Sequence, residues 1–135
     1  MRWRRWKKRT NAWSSKHSTH SSTNAITRRP RYWAPNYIQH SAHIEPGREG
    51  LFNLLKTSPA SLKYEPGVIV AEGDFVIVHG RFSGTGLPRN WIAADIVRIA
   101  DGVLAEHWDV LQDEAARADS KSGLPMFGDS FAGRS

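Results

Sequence analysis

The spacing of hydrophobic and polar positions changes once along this chain, near residue 62. Before that point, Gly47 to Leu55 carries Leu51, Leu54 and Leu55 at helical spacing with Phe52 beside them. Pro46-Gly47 supplies a turn ahead of the segment and Ser58-Pro59 a stop behind it, so the pattern predicts one short helix. From Leu62 onward apolar residues recur at every second position. Val68 to Ala71 and Phe75 to Phe82 read as two antiparallel strands divided by Glu72-Gly73-Asp74, a hairpin signal. Asn90 to Ile99 and Val103 to Leu111 read as two more, joined by Ala100-Asp101-Gly102, where the glycine can take positive φ.

After Gln112 the chain becomes polar and ends on Leu124-Pro125-Met126-Phe127, which reads as a tail whose apolar tip docks. No internal repeat is visible. One helix followed by a meander of about four main strands predicts an α+β fold, a curved antiparallel sheet packed on short helices.

Composition bounds the picture further. A chain of 135 residues is long enough for one core and too short for two. The absence of cysteine excludes disulfides, thiolate metal sites and cysteine nucleophiles, and suits a cytoplasmic protein. No apolar run approaches the roughly 20 residues of a membrane span, and no secretory signal pattern opens the chain.

Charge changes the domain reading. The overall +6 is uneven: residues 1–31 hold ten of the 19 Lys and Arg and none of the 13 Asp and Glu. The remainder is therefore mildly acidic, and the high isoelectric point belongs to the arm. Three expected units follow: a basic, disordered arm over 1–31, a folded domain over 32–127 and a C-terminal tail over 128–135. Trp3, Trp6 and Trp13 fall at short helical spacing, but Ser14 to Asn24 offers no large apolar group to offset the cost of ordering. Interleaved Arg, Lys and Trp suit phosphate or membrane-surface contact. A dispensable tail is the favoured alternative to nucleic-acid or membrane contact, and a segment foreign to the usual start of such a domain is the third.

Within a strand, residues of one parity share a face. Phe75, Ile77, His79 and Arg81 form one such set; Trp91, Ala93, Asp95 and Val97 a second; Ala105, His107, Asp109 and Leu111 a third. Each mixes ionisable with apolar side chains, as a pocket lining does, while Arg98 and Glu106 take the opposite parity. The expectation is that Asp109, Asp95, His107 and His79 converge on one cavity, with Tyr37 and Trp91 in its wall. Asp95 lies in an apolar stretch and needs a partner there; a register-fixing pair and a cavity role both satisfy that need. His107 can protonate or orient a substrate oxygen. His107 and Asp109 alone offer two metal ligands at strand spacing without a His-x-x-x-His pair, so no metal is expected. Gly84-Thr85-Gly86 lacks the Lys-Ser/Thr of a phosphate loop and reads as a hairpin loop, and no Gly-x-Ser-x-Gly elbow is present.

Four segments, Tyr37-Ile38-Gln39-His40, Ile69 to His79, Asp95-Ile96-Val97-Arg98 and Glu106-His107-Trp108-Asp109-Val110, occur in an order that resembles the SnoaL-like polyketide cyclases of the NTF2-like superfamily. The resemblance covers about residues 32–127. It implies a cone-shaped fold with a deep pocket, a small-molecule ligand, intramolecular aldol condensation or isomerisation without a cofactor, and Asp109 as acid/base. A non-catalytic ligand-binding or interaction module on the same fold is the alternative. The family's arrangement puts His40 near the mouth, and Tyr37, Trp91, Trp108 and Phe75 are the further expected substrate contacts. Apolar Val76, Val78, Ile92, Ile96 and Val110, too many for so small a chain to cover, add the expectation of a homodimer. Residues 1–31 depart from the family's long amphipathic first helix, having no apolar face.

Overall fold

The computed structural model describes residues 30–132; the expected disorder of the basic arm over 1–31 concerns residues outside that range, except for its last two. A 3-10 turn, Pro30–Tyr32, leads into β1, Trp33–Gln39. Helix α1, Gly47–Thr57, comes next, then β2, Lys63–Glu72, β3, Phe75–Ser83, β4, Trp91–Ala100, and β5, Val103–Asp113. The sheet therefore has five strands, one more than the pattern predicts, in the order β1-β5-β4-β3-β2. The extra strand is β1, and it runs parallel to β5 while every other pair is antiparallel. Pro35 and the short apolar content of Trp33–Gln39 mask its strand character in the sequence; a proline is tolerated here because β1 is an edge.

Helix α1 ends where Ser58 precedes Pro59 and turns extended. The Ser58 hydroxyl caps the last turn by donating to the Leu54 carbonyl at 2.7 Å. The helix packs against β1 and buries Phe52, whereas Leu54 faces outward. The core around β1 consists of Ala34, Tyr37 and Ala105, with Trp33, Ala100 and Val103 against them.

Register decides which side chains meet. Asp101 and Gly102 both have positive φ, 51° and 79°, the two-residue turn whose twist matches a hairpin. That turn sets Ala100 opposite Val103 and Ile99 opposite Leu104, but Arg98 pairs with Glu106. Ala105 is thus the extra residue of a β-bulge, and beyond it Asp95 lies directly opposite Asp109. A second bulge in β2 falls between Pro66 and Ile69.

Cross-strand pairing then defines two faces. The first, called the site face below, carries Tyr37 and Gln39 of β1, His107 and Asp109 of β5, Asp95, Ala93 and Trp91 of β4, Val76, Val78 and Gly80 of β3, and Tyr64 of β2. The back face carries Phe75, Ile77, His79 and Arg81, with Ile92, Ile96, Arg98, Glu106, Trp108 and Val110. The apolar residues expected to share a dimer face are therefore split, since Val76 and Val78 lie on the site face and Ile92, Ile96 and Val110 behind it.

The C-terminal segment returns over the back face. Phe127 lies under the Arg81 guanidinium, 4.9 Å from it, and 5.5 Å from the His79 ring. Arg81 donates to Glu114 from Nε at 3.0 Å and from Nη2 at a shorter distance, and both residues are buried. Among the described residues no helix is long and apolar enough to cross a membrane.

Candidate functional site

Strand β5 supplies the centre of the site because its odd positions after the bulge all project from one face. His107 is buried and held at both ring nitrogens. Its Nδ1 is 2.7 Å from Gln39 Oε1 and its Nε2 is 2.8 Å from Asp95 Oδ1. Gln39 Nε2 in turn donates to the Tyr37 hydroxyl at 3.0 Å, and Gln39 Oε1 also accepts the Ser41 backbone N–H at 2.9 Å. The paired strands β1 and β5 fix this chain, since Gln39 stands opposite His107 in the register.

Asp109 completes the cluster. Ligating atoms of Asp95, His107 and Asp109 lie within 4.8 Å of one another. Asp95 has a hydrogen-bonded partner, as its apolar surroundings require, whereas Asp109 makes no hydrogen bond or ion pair among the described residues. Such a grouping is close enough to share a cation, but His107 already engages both nitrogens, so a metal would have to displace one of those two bonds.

Two tyrosines face the carboxylates. Burial, and behind it the charges of Asp95 and Asp109, hold the Tyr37 phenol well above its ordinary value of 10. Burial and the Asp95 charge do the same to Tyr64. Both remain O–H groups in any ordinary buffer. Tyr64 crosses to this position over Gly80, where a Cβ would come within 2.5 Å of its ring. Trp91 lies at the far end of the same face, stacked on His43 with centroids 6.2 Å apart.

Of the nine site residues expected from the sequence, Asp109, Asp95, His107, Tyr37 and Trp91 share the site face. His79 does not join them: it stands opposite Ala94, not opposite an odd position of β4, and packs against Phe127 on the back face. Phe75, Trp108 and His40 also belong to the back face. Phe75 and Trp108 approach to 6.1 Å, and His40 stacks on Trp108 at 4.7 Å with its Nε2 2.8 Å from Glu106 Oε1. Parity grouped residues by face within β3, β4 and the part of β5 beyond the bulge, but it could not align β3 with β4. Gln39 and Tyr64 were missed. The alternation Tyr37-x-Gln39 was the available signal for the first; only register reveals the second.

On the back face, Glu106 accepts hydrogen bonds from His40 and from Arg98 Nε, the latter at 2.8 Å. These contacts hold its carboxyl below the ordinary 4.5. A depressed native value makes this contribution to stability complete above the unfolded value and lost as pH falls through the native one. Glu106→Gln is expected to be less stable than the parent at neutral pH, with the gap closing as the pH is lowered below 4.5 in urea titrations. A gap that persists unchanged at acid pH would assign the loss to packing.

Two clefts lie away from the cluster. One of about 350 Å³ is bounded by Asn36, Ile38, Arg98 and Asp101, and one of about 840 Å³ by Arg89, Glu114, Arg117 and Phe131. Neither contains a carboxylate–histidine pair, and shape alone does not make them the chemical site.

The SnoaL-like domain family matches residues 20–107, more than half of the chain, and the chain belongs to it. The match reaches into the basic arm, ahead of the expected domain start at 32. TsrD from Streptomyces laurentii has a TM-score of 0.54 at 26% identity, over 72% of this chain and 84% of that one. A candidate polyketide cyclase from Bacillus cereus ATCC 10987 gives 0.51 at 27%, over 61% of this chain and 60% of its own. An NTF-2-like protein of unknown function from Burkholderia xenovorans LB400 gives 0.62 at 18%, over 90% and 98%, a likeness of fold. No match was found among curated proteins. The α+β, NTF2-like architecture expected from the sequence is the one observed.

Proposed function

We propose that the chain binds a small enolisable ketone or polyketide-like molecule on its site face and catalyses proton transfer at the carbon beside the carbonyl, leading to intramolecular aldol closure or isomerisation. The observation that supports this most is the contrast between the two carboxylates: Asp95 is engaged by His107, and Asp109 beside it has no protein partner among the described residues. A carboxylate left unpaired on a half-buried face, with the buried Tyr37 and the half-buried Tyr64 on the same face, is suited to general-base work.

The step balances without redox chemistry, so it needs no cofactor. Asp109 takes the α-proton, the C–H electron pair becomes the enolate double bond, and the carbonyl π pair moves onto oxygen. In an aldol closure the enolate carbon then attacks a second carbonyl of the same molecule, and the alkoxide formed regains a proton. The test is deuterium uptake at C1 of 2-tetralone in D₂O, followed by ¹H NMR with the full chain and with Asp109→Asn. Binding without catalysed uptake would favour the non-catalytic ligand-binding reading. Having no cysteine, the chain draws no stability from disulfides, so a reducing cytoplasm is compatible with it and is part of this proposal.

A homodimer through the back face is part of this proposal. Val70, Ile77, Ile96 and Trp108 form one cross-strand row, and Val110, 65% exposed, and Phe75 extend it. An apolar sheet face of this kind is the sort of surface that a second copy covers. Sedimentation at tens of micromolar is expected to give a dimer, and Ile77→Glu a monomer. A monomeric parent at that concentration would remove the claim.

A further inference from the structure

Hydrogen positions in the site follow from one backbone donor. The Ser41 N–H is 2.9 Å from a terminal atom of Gln39, and a backbone N–H can only donate, so that atom is the amide oxygen. The other terminal atom, 3.0 Å from the Tyr37 hydroxyl, is then the NH₂ group. An amide nitrogen only donates, so the Tyr37 oxygen accepts and its own hydrogen points elsewhere. The Gln39 oxygen only accepts, so His107 Nδ1 at 2.7 Å carries a hydrogen. His107 Nε2 and Asp95 Oδ1, at 2.8 Å, share one more, because two bare lone pairs would repel at that distance.

This leaves the His107–Asp95 pair with no net charge and Asp109 as the uncompensated carboxylate of the cluster. It also leaves one donor unspent. Tyr37 is only 4% exposed, and among the described residues nothing accepts its hydroxyl hydrogen. A buried donor without an acceptor costs free energy unless a ligand supplies one. The two carboxylates whose charges act on Tyr37 stand on the same face.

We propose that Gln39 is a positioning residue that presents the Tyr37 hydroxyl as hydrogen-bond donor to the carbonyl, and then enolate, oxygen of the substrate whose α-proton Asp109 removes. The assignment of Tyr37 rests on the acid/base reading above; the hydrogen pattern set by Gln39 does not. Tyr37 transfers no proton: the charge that develops on the substrate oxygen strengthens its bond to the hydroxyl, which stabilises the transition state more than the ground state. The ligand class is thereby narrowed to molecules whose acceptor is a carbonyl oxygen, two bonds from the carbon that bears the acidic hydrogen.

Gln39→Glu separates this from a structural role. A carboxylate keeps the side chain's shape, and one oxygen still accepts from Ser41 and His107, but the other now accepts the Tyr37 O–H and consumes its hydrogen. Tyr37→Phe removes the donor outright. With 2-tetralone as probe, each variant is expected to lose about 10²-fold in deuterium uptake, the scale of one oxyanion donor. The double variant is expected to be no slower than either single one. Uptake unchanged in Gln39→Glu overturns the proposal. Nitrogen-15 NMR of His107 in the parent chain provides the independent reading: a hydrogen on Nδ1 supports the pattern, and a bare Nδ1 overturns it whatever the activity and whether or not Tyr37→Phe folds. A protonated Nδ1 with no uptake by the parent sinks the acid/base reading, and Tyr37's role with it, while the hydrogen assignment stands.

Discussion

Asp109→Asn is expected to lower turnover by about 10²- to 10⁴-fold, the range for loss of a general base, with little change in folding stability. Asparagine matches the volume of aspartate, so no cavity forms, and Asp109 has no hydrogen-bonding partner among the described residues to lose. What disappears is the carboxylate of the Asp95–His107–Asp109 cluster that is free to receive a proton. Asp95→Asn is a less discriminating change, because it also disturbs the shared hydrogen with His107 Nε2. Single-turnover or exchange rates at saturating substrate, with urea unfolding of both chains as control, measure the effect. A rate equal to the parent's would transfer the base role to Asp95 or leave a ligand-binding protein without this chemistry.

Much of the fold was readable from alternation and turn chemistry. The strands beginning at Phe75, Asn90 and Val103 came within a residue of the observed β3, β4 and β5 at their starts, because Gly73 and Asp101-Gly102 mark their hairpin turns unambiguously. The parallel strand β1 was not readable. Its partner is far away in sequence, and nothing local distinguishes a strand added beside β5 from a loop.

Register limited the reading of the site. Counting outward from the Asp101-Gly102 turn places Asp95 opposite Trp108, on the face that Glu106 shares. Only the bulge at Ala105 restores Asp95 to Asp109, so the pairing expected from parity depends on one residue that carries no sequence signature of a bulge. Between β3 and β4 the connection from Gly84 to Asn90 is too long to fix register by counting. The observed pairing of Val78 with Asp95 turns His79, Phe75 and Arg81 away from the cluster. Side-chain chemistry could nominate His79, but the backbone alone decides its face.

The same register produces the largest stability effect expected in the molecule. Arg81, turned to the back face beside Ile92, meets Glu114 just beyond the end of β5, and both are 7% exposed. Glu114 is fully used: Oε1 accepts from Arg81, Oε2 accepts from Asn90 Nδ2 at 2.9 Å, and its N–H donates to the Asn90 carbonyl at 2.8 Å. Arg81 also reaches the Phe127 carbonyl at 3.3 Å while its guanidinium covers the Phe127 ring. Glu114→Gln takes away the buried counter-charge of the guanidinium, leaving the more exposed Glu65 carboxylate 3.6 Å from Nη1, and sets an amide NH₂ against donors on either Arg81 or Asn90. The expected loss is about 3–5 kcal/mol, the scale for breaking one side of a buried ion pair. Arg81→Met in the Glu114→Gln background is expected to recover part of that loss, because it removes the stranded charge and retains apolar volume. Arg81→Met alone is expected to release the segment around Phe127, with protease cleavage there at enzyme levels that leave the parent intact. Urea unfolding of the four chains in a double-mutant cycle gives the coupling directly. A Glu114→Gln cost below about 1 kcal/mol, the value for a solvent-exposed pair, would show that water reaches Arg81 and that the C-terminal segment is held by Phe127 packing instead.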